Sequence, residues 1–168
     1  MFFSPARRAV NEALAWQKVA EQLKQAKNAN LSNDLNKILR PVRHSENAVV
    51  FRQLAQESNA NSNVRSCLVG RAYLWAGLAY TTAAQVTLTN GETKDARQFC
   101  MLAAENFFKS SQHLPSWERK SVLRWASQLR KIAGKLEAEP FYALTHLKAL
   151  AIKVKSHAKF VPPFRQGR

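Results

Sequence analysis

The stretch from Arg71 to Gly91, RAYLWAGLAYTTAAQVTLTNG, runs twenty residues past Arg71 without a charge, in a chain whose formal net charge is +15. A neutral segment of that length is a bilayer span, the wall of a ligand pocket or the helix around which a domain packs. Its second half argues against the bilayer, because Thr81, Thr82, Gln85, Thr87, Thr89 and Asn90 are unfavourable at a membrane centre. Its apolar residues, among them Leu68, Tyr73, Leu74, Trp75, Leu78, Val86 and Leu88, surround the helix rather than mark one side. A helix apolar all round is enclosed by other helices. Gly77, which costs roughly 1 kcal/mol relative to Ala in mid-helix, lies among Ala76, Ala79, Ala83 and Ala84, so a neighbouring helix is expected to approach closely there.

With five Gly, six Pro and no sustained alternation of apolar and polar residues, the rest of the chain also reads as helix. The expectation is an all-α, single-domain bundle of about seven helices over residues 1–158, with an extended basic tail at 159–168. Ser4 caps a first helix from Pro5 to about Asn28, with Val10, Ala13, Leu14, Trp16, Ala20, Leu23 and Ala26 on its buried face. Asp34 to Leu39 forms a short helix that Pro41 ends. Ser45 caps a third helix to about Gln56, with Val49, Val50 and Leu54 as its apolar stripe, and SNANSN at 58–63 reads as a mobile loop. Helices from Val64 to Thr89 and from Thr93 to His113 make an antiparallel hairpin across NGET, where Asn90 and Gly91 stop one helix and Thr93 caps the next. Ser116 caps a helix from Trp117 to about Ala138, and Pro140 opens the last, to about Ala158.

Tyr73, Gly77 and Tyr80, followed by Ala104, Phe108, Ser111 and Pro115, resemble the two helices of a tetratricopeptide repeat. The two half-patterns stand about fifteen residues further apart than a unit of 34 allows, and no second copy follows. The resemblance implies a helical hairpin within residues 73–115, not a peptide-binding array.

Charge is concentrated at one end of the sequence: residues 109–168 hold 13 Lys plus Arg against three acids, a net of +10. Such a balance suits an anionic partner, nucleic acid foremost. Lys120, Arg124, Lys131 and Lys135 recur at steps of four, seven and four, which keeps them on one helical face opposite Leu123, Ala126, Leu129, Ile132, Ala133 and Leu136. Only Glu118 and Glu137 are near enough in sequence to relieve their repulsion. Lys148, Lys155 and Lys159, with Lys153 nearby, repeat the pattern on the last helix, with Phe141, Leu144, Leu147, Leu150, Ala151 and Val154 facing inward, so a basic groove is expected between or across the two helices. Arg119, Arg130, Arg165 and Arg168 are candidates to extend it, and Arg7, Arg8, Arg40 and Arg43 for a second patch. Trp117, at the helix start, is a candidate to stack on an unpaired base, worth about 1–3 kcal/mol, whereas Trp125 reads as core.

Catalysis finds no support in the pattern. There is no Gly-rich phosphate loop, neither Cys67 nor Cys100 has a His at a recognisable spacing, and His44, His113, His146 and His157 are too scattered for a metal site. Arg40 with His44 fails the Arg-to-His spacing of helical nuclease bundles and straddles Pro41. No cofactor is expected. The two cysteines suit a reducing, cytoplasmic setting, with organelle import from the Arg-bearing start a lesser alternative.

In size, helicity and charge the chain is similar to the small helical subunits of CRISPR effector complexes, which line the path of guide and target strands without cutting them. Ribosomal and viral nucleoproteins share the same attributes. The expected function is a non-catalytic, backbone-binding subunit of a ribonucleoprotein assembly, contacting RNA or DNA and other protein subunits, with no membrane partner. The alternative is a tetratricopeptide-like adaptor with an acidic protein partner.

Overall fold

The neutral run folds as a helix buried on nearly every side. From Leu68 to Thr81 only Leu78 retains appreciable exposure. It belongs to α4 (Ser62–Thr89), the longest of seven α-helices in the computed structural model, which describes residues 4–26, 31–57 and 62–159. The others are α1 (Pro5–Gln25), α2 (Leu31–Ile38), α3 (Glu46–Glu57), α5 (Thr93–Ser111), α6 (Ser116–Lys135) and α7 (Pro140–Lys159), with a 3-10 turn at Arg40–Val42. No strand occurs among the described residues, and none of their helices is long and apolar enough to cross a membrane.

Helix α4 packs against α1, α3, α5 and α7, while α5 touches α6 and α6 touches α7. Thus α4 to α7 close a four-helix ring, and α1 to α3 cover the outer side of α4. Short connections make successive helices antiparallel, so the first half of α4, the end of α5, the start of α6 and the end of α7 meet at one end of the bundle. On the α1 side, Trp16, Phe51 and Trp75 form one aromatic cluster, with ring centroids 4.6 to 5.8 Å apart. This cluster also sets the rotation of α3. Ala48, Phe51 and Leu54 point inward, and Val49, expected in the apolar stripe, is 55% exposed. Leu14 on α1, Leu123 on α6 and Phe141 at the start of α7, all expected to face inward, are likewise exposed.

The close approach at Gly77 is real: a Cβ there would lie 2.7 Å from the Phe107 ring of α5. Gly70, which carried no expectation, does the same against Leu114 at 2.8 Å. Gly91 has φ +78°, the left-handed turn that ends α4, and Glu92 N–H donates back to Thr87 O at 2.9 Å.

Ser4 caps α1 as expected, its Oγ accepting from Arg7 N–H at 3.1 Å. Other boundaries differ. Thr93 and Ser116 are the first helical residues rather than caps, with Glu92 and Pro115 in the cap positions and no side-chain cap bond at either. Helix α2 begins at Leu31, α1 ends at Gln25, α5 at Ser111 and α6 at Lys135. The expected loop at 58–63 is shortened from its far side, since α4 reaches back to Ser62, and residues 58–61 lie outside the described residues. Lys159 still belongs to α7, so the expected tail starts one residue later, at 160–168, also outside the described residues.

Candidate nucleic-acid interface

On α6 the period of the helix separates two populations of residues. Val122, Trp125, Ala126, Leu129, Ile132 and Ala133 are buried against α5 and α7, and Lys120, Arg124 and Lys131 stand on the opposite, exposed side. Among the described residues no carboxylate lies within ion-pair distance of these three. Lys135 continues the row but is engaged, 3.9 Å from Glu139 and 4.5 Å over the Tyr142 ring. Arg119 serves the fold: its Nε donates to Ser111 O at 3.0 Å and its Nη2 to Leu114 O at 3.3 Å, closing the end of α5.

The acids expected to relieve the row are committed elsewhere. Glu137 pairs with Arg97 at 2.7 Å, and Glu118 is 1% exposed, facing the interior.

The lysines of α7 divide between two grooves rather than forming one array with α6. Lys148, Lys155 and Lys159 line one wall of a 590 Å³ groove whose floor includes Trp75 and Leu78, and Glu12 and Glu46 line it as well. Lys153 turns the other way, joining Lys131 on a 280 Å³ groove between α6 and α7, beside Tyr142 and His146. The reason is helical phase: Lys153 stands roughly 160° round α7 from Lys155. Of the expected set, therefore, the grooves bring Lys131 and Lys153 together and keep Lys148, Lys155 and Lys159 apart from the α6 row. In the second expected patch, Arg8, Arg40 and Arg43 are exposed, and Arg43 Nε donates to His44 Nε2 at 3.2 Å. Arg165 and Arg168 lie outside the described residues.

At the end of the bundle where α4, α6 and α7 meet, the structure holds a feature that carried no expectation. Arg71 Nη2 donates to Glu118 Oε1 at 2.9 Å, and His157 Nε2 lies 2.7 Å from Glu118 Oε2. Burial lowers the Arg71 pKa, opposed by the neighbouring Glu118 carboxylate. The signal in the sequence was register, because Glu118 falls four, seven and eleven residues before Val122, Trp125 and Leu129, on the buried stripe.

Trp117 is 55% exposed, whereas Trp125 is buried, edge-on to His157 and to Phe107. Both cysteines are free, and burial raises both thiols, Cys100 to about 12. Among the described residues no three His, Cys, Asp or Glu side chains gather as a metal site. The chain matches no protein-family model, no curated protein and no solved structure.

Proposed function

We propose that this chain is a non-catalytic, basic helical protein that binds nucleic-acid backbone with little sequence specificity, as a small subunit of a ribonucleoprotein or effector assembly. The observation that carries the reading is the α6 row: Lys120, Arg124 and Lys131 are exposed on one face, and no carboxylate among the described residues lies within ion-pair distance of them. The row extends about 16 Å along the helix axis, a length over which a strand presents several phosphates. Like charges at this spacing oppose one another by a few tenths of a kcal/mol per pair, and phosphates relieve that cost while releasing counterions. Lysines on the two grooves widen the cationic surface. A row of cations suits phosphates rather than base edges, so backbone contact is the expected mode. A protonated, buried Cys100 and a raised Cys67 thiol do not suit a nucleophile, in keeping with a binding role. Free thiols fit a reducing, cytoplasmic setting.

One observation favours the adaptor alternative. Met101 and Phe108 are exposed on α5 and share a 300 Å³ depression with Leu102, Glu105 and Arg130, a surface suited to an apolar protein segment. Gel-shift titrations of single- and double-stranded DNA and RNA at two salt concentrations separate the readings. Phosphate binding weakens steeply with salt and weakens further when Lys120, Arg124, Lys131 and Lys135 are changed to Glu. Absence of any shift at low salt contradicts the nucleic-acid reading and leaves the adaptor.

A further inference from the structure

We infer that Trp117 is a stacking platform for an unpaired base, so that the strand held by the α6 row is single-stranded; this rests on the nucleic-acid reading above and names its ligand class. Three of the four tryptophans, Trp16, Trp75 and Trp125, are at most 3% exposed. Trp117 is the exception, although Leu114 three residues earlier and Glu118 immediately after it are buried. A large aromatic ring left in water beside a packed core has an open face.

Its surroundings fit a nucleic acid better than an apolar protein surface. Lys120 and Arg124 follow Trp117 by three and seven residues and share its side of α6. The other exposed apolar residue of α6, Leu123, stands roughly 120° away round the helix. A protein partner covering Trp117 with apolar side chains would have to desolvate two cations at once. A strand instead places a base on the indole and its flanking phosphates on Lys120 and Arg124.

The ring also has an aromatic neighbour on α7. The His157 imidazole lies 6.4 Å from Trp117, ring centre to ring centre, and Glu118 fixes that imidazole at 2.7 Å while itself holding Arg71 at 2.9 Å. The imidazole beside the indole is thus itself held by the Glu118 carboxylate of α6.

Because Trp16, Trp75 and Trp125 are buried, quenching of intrinsic fluorescence by a stacked base reports on Trp117. The full chain is titrated at low salt with an unstructured polypyrimidine strand of about 12 nucleotides, with a duplex of the same length, and with inorganic polyphosphate. The single strand is expected to quench fluorescence and the other two are not. Trp117→Ala is expected to weaken single-strand binding by about tenfold, with duplex and polyphosphate binding unchanged, and Trp117→Phe to restore most of the loss. Should Trp117→Ala lower the urea midpoint, the quenching of the unaltered chain and the affinity of Trp117→Phe decide. If all three polyanions bind but the single strand leaves the fluorescence unchanged, the platform is wrong and the backbone reading stands. If none of the three binds, the backbone reading falls and the platform with it.

Discussion

Glu118 and Lys120 are two residues apart on α6, and their fates are opposite. Glu118 is sealed between Arg71 and His157, while Lys120 faces water with no carboxylate among the described residues within ion-pair distance. Two residues turn the helix by about 200°, which places one side chain on the buried stripe and the other on the open face. The same contrast divides the bundle. At the junction of α4, α6 and α7 the Glu118 carboxylate meets Arg71 and His157 and ties three helices together, while along α6 Lys120, Arg124 and Lys131 stand exposed. Proximity in sequence says little about which charges compensate one another; helical phase says a great deal.

The largest effect expected on the buried side is from Glu118→Ala. Removing one partner leaves the Arg71 guanidinium uncompensated in the interior, at a cost of about 3–5 kcal/mol in urea unfolding. Lys120→Ala is expected to stay within about 0.5 kcal/mol of the unaltered chain. Similar costs for the two variants would erase the distinction between the regions. Next in size is Gly77→Ala, which drives a methyl into the Phe107 ring and is expected to cost about 1–3 kcal/mol despite the better helix propensity of Ala. Loss of less than that would mean that α4 and α5 separate easily.

Thiol chemistry sharpens the same contrast at smaller scale. Cys100 is fully buried with its thiol pushed up to about 12, whereas Cys67 is half-buried. A maleimide is expected to modify Cys67 well before Cys100, whose reaction should require unfolding; equal rates would show the α5 interior to be open. The smallest effect concerns His113, whose pKa burial lowers from the ordinary 6.5, with Lys24 adding to the shift. Below pH 6.5 the unfolded chain takes up the proton first, so this group's contribution to stability is complete above that value and declines as pH falls toward the folded pKa. His113→Gln is expected to remove a shallow loss of stability that sets in as pH falls below about 6.5. An unchanged pH profile would place the loss on another group.

The neutral run, the capped turn at Asn90 and Gly91, the all-α class and the close approach at Gly77 were legible in the sequence, because each depends on local pattern or on a single helix's period. The Arg71–Glu118–His157 junction was not. Its members are 47 and 39 residues apart and meet only through the packing of three helices. Register placed Glu118 on the buried stripe, but no local rule names the cation that meets it there. The cations of α6 were legible as a face. Their grouping with those of α7 was not, since it depends on how α7 rotates against α4, which directs Lys148, Lys155 and Lys159 to one groove and Lys153 to another. Arg119 shows the same limit, because a guanidinium that reaches back to the end of the preceding helix is indistinguishable in sequence from one that faces solvent.

The most direct test of the account is the slope of log affinity against log salt for a single-stranded oligonucleotide, measured for the unaltered chain and for Lys120→Ala/Arg124→Ala/Lys131→Ala. If these three cations each meet a phosphate, the slope becomes shallower by about 2 while the urea midpoint barely moves. An unchanged slope, with affinity intact, would mean that the exposed row on α6 is solvated charge and that the chain's anionic partner, if it has one, binds elsewhere.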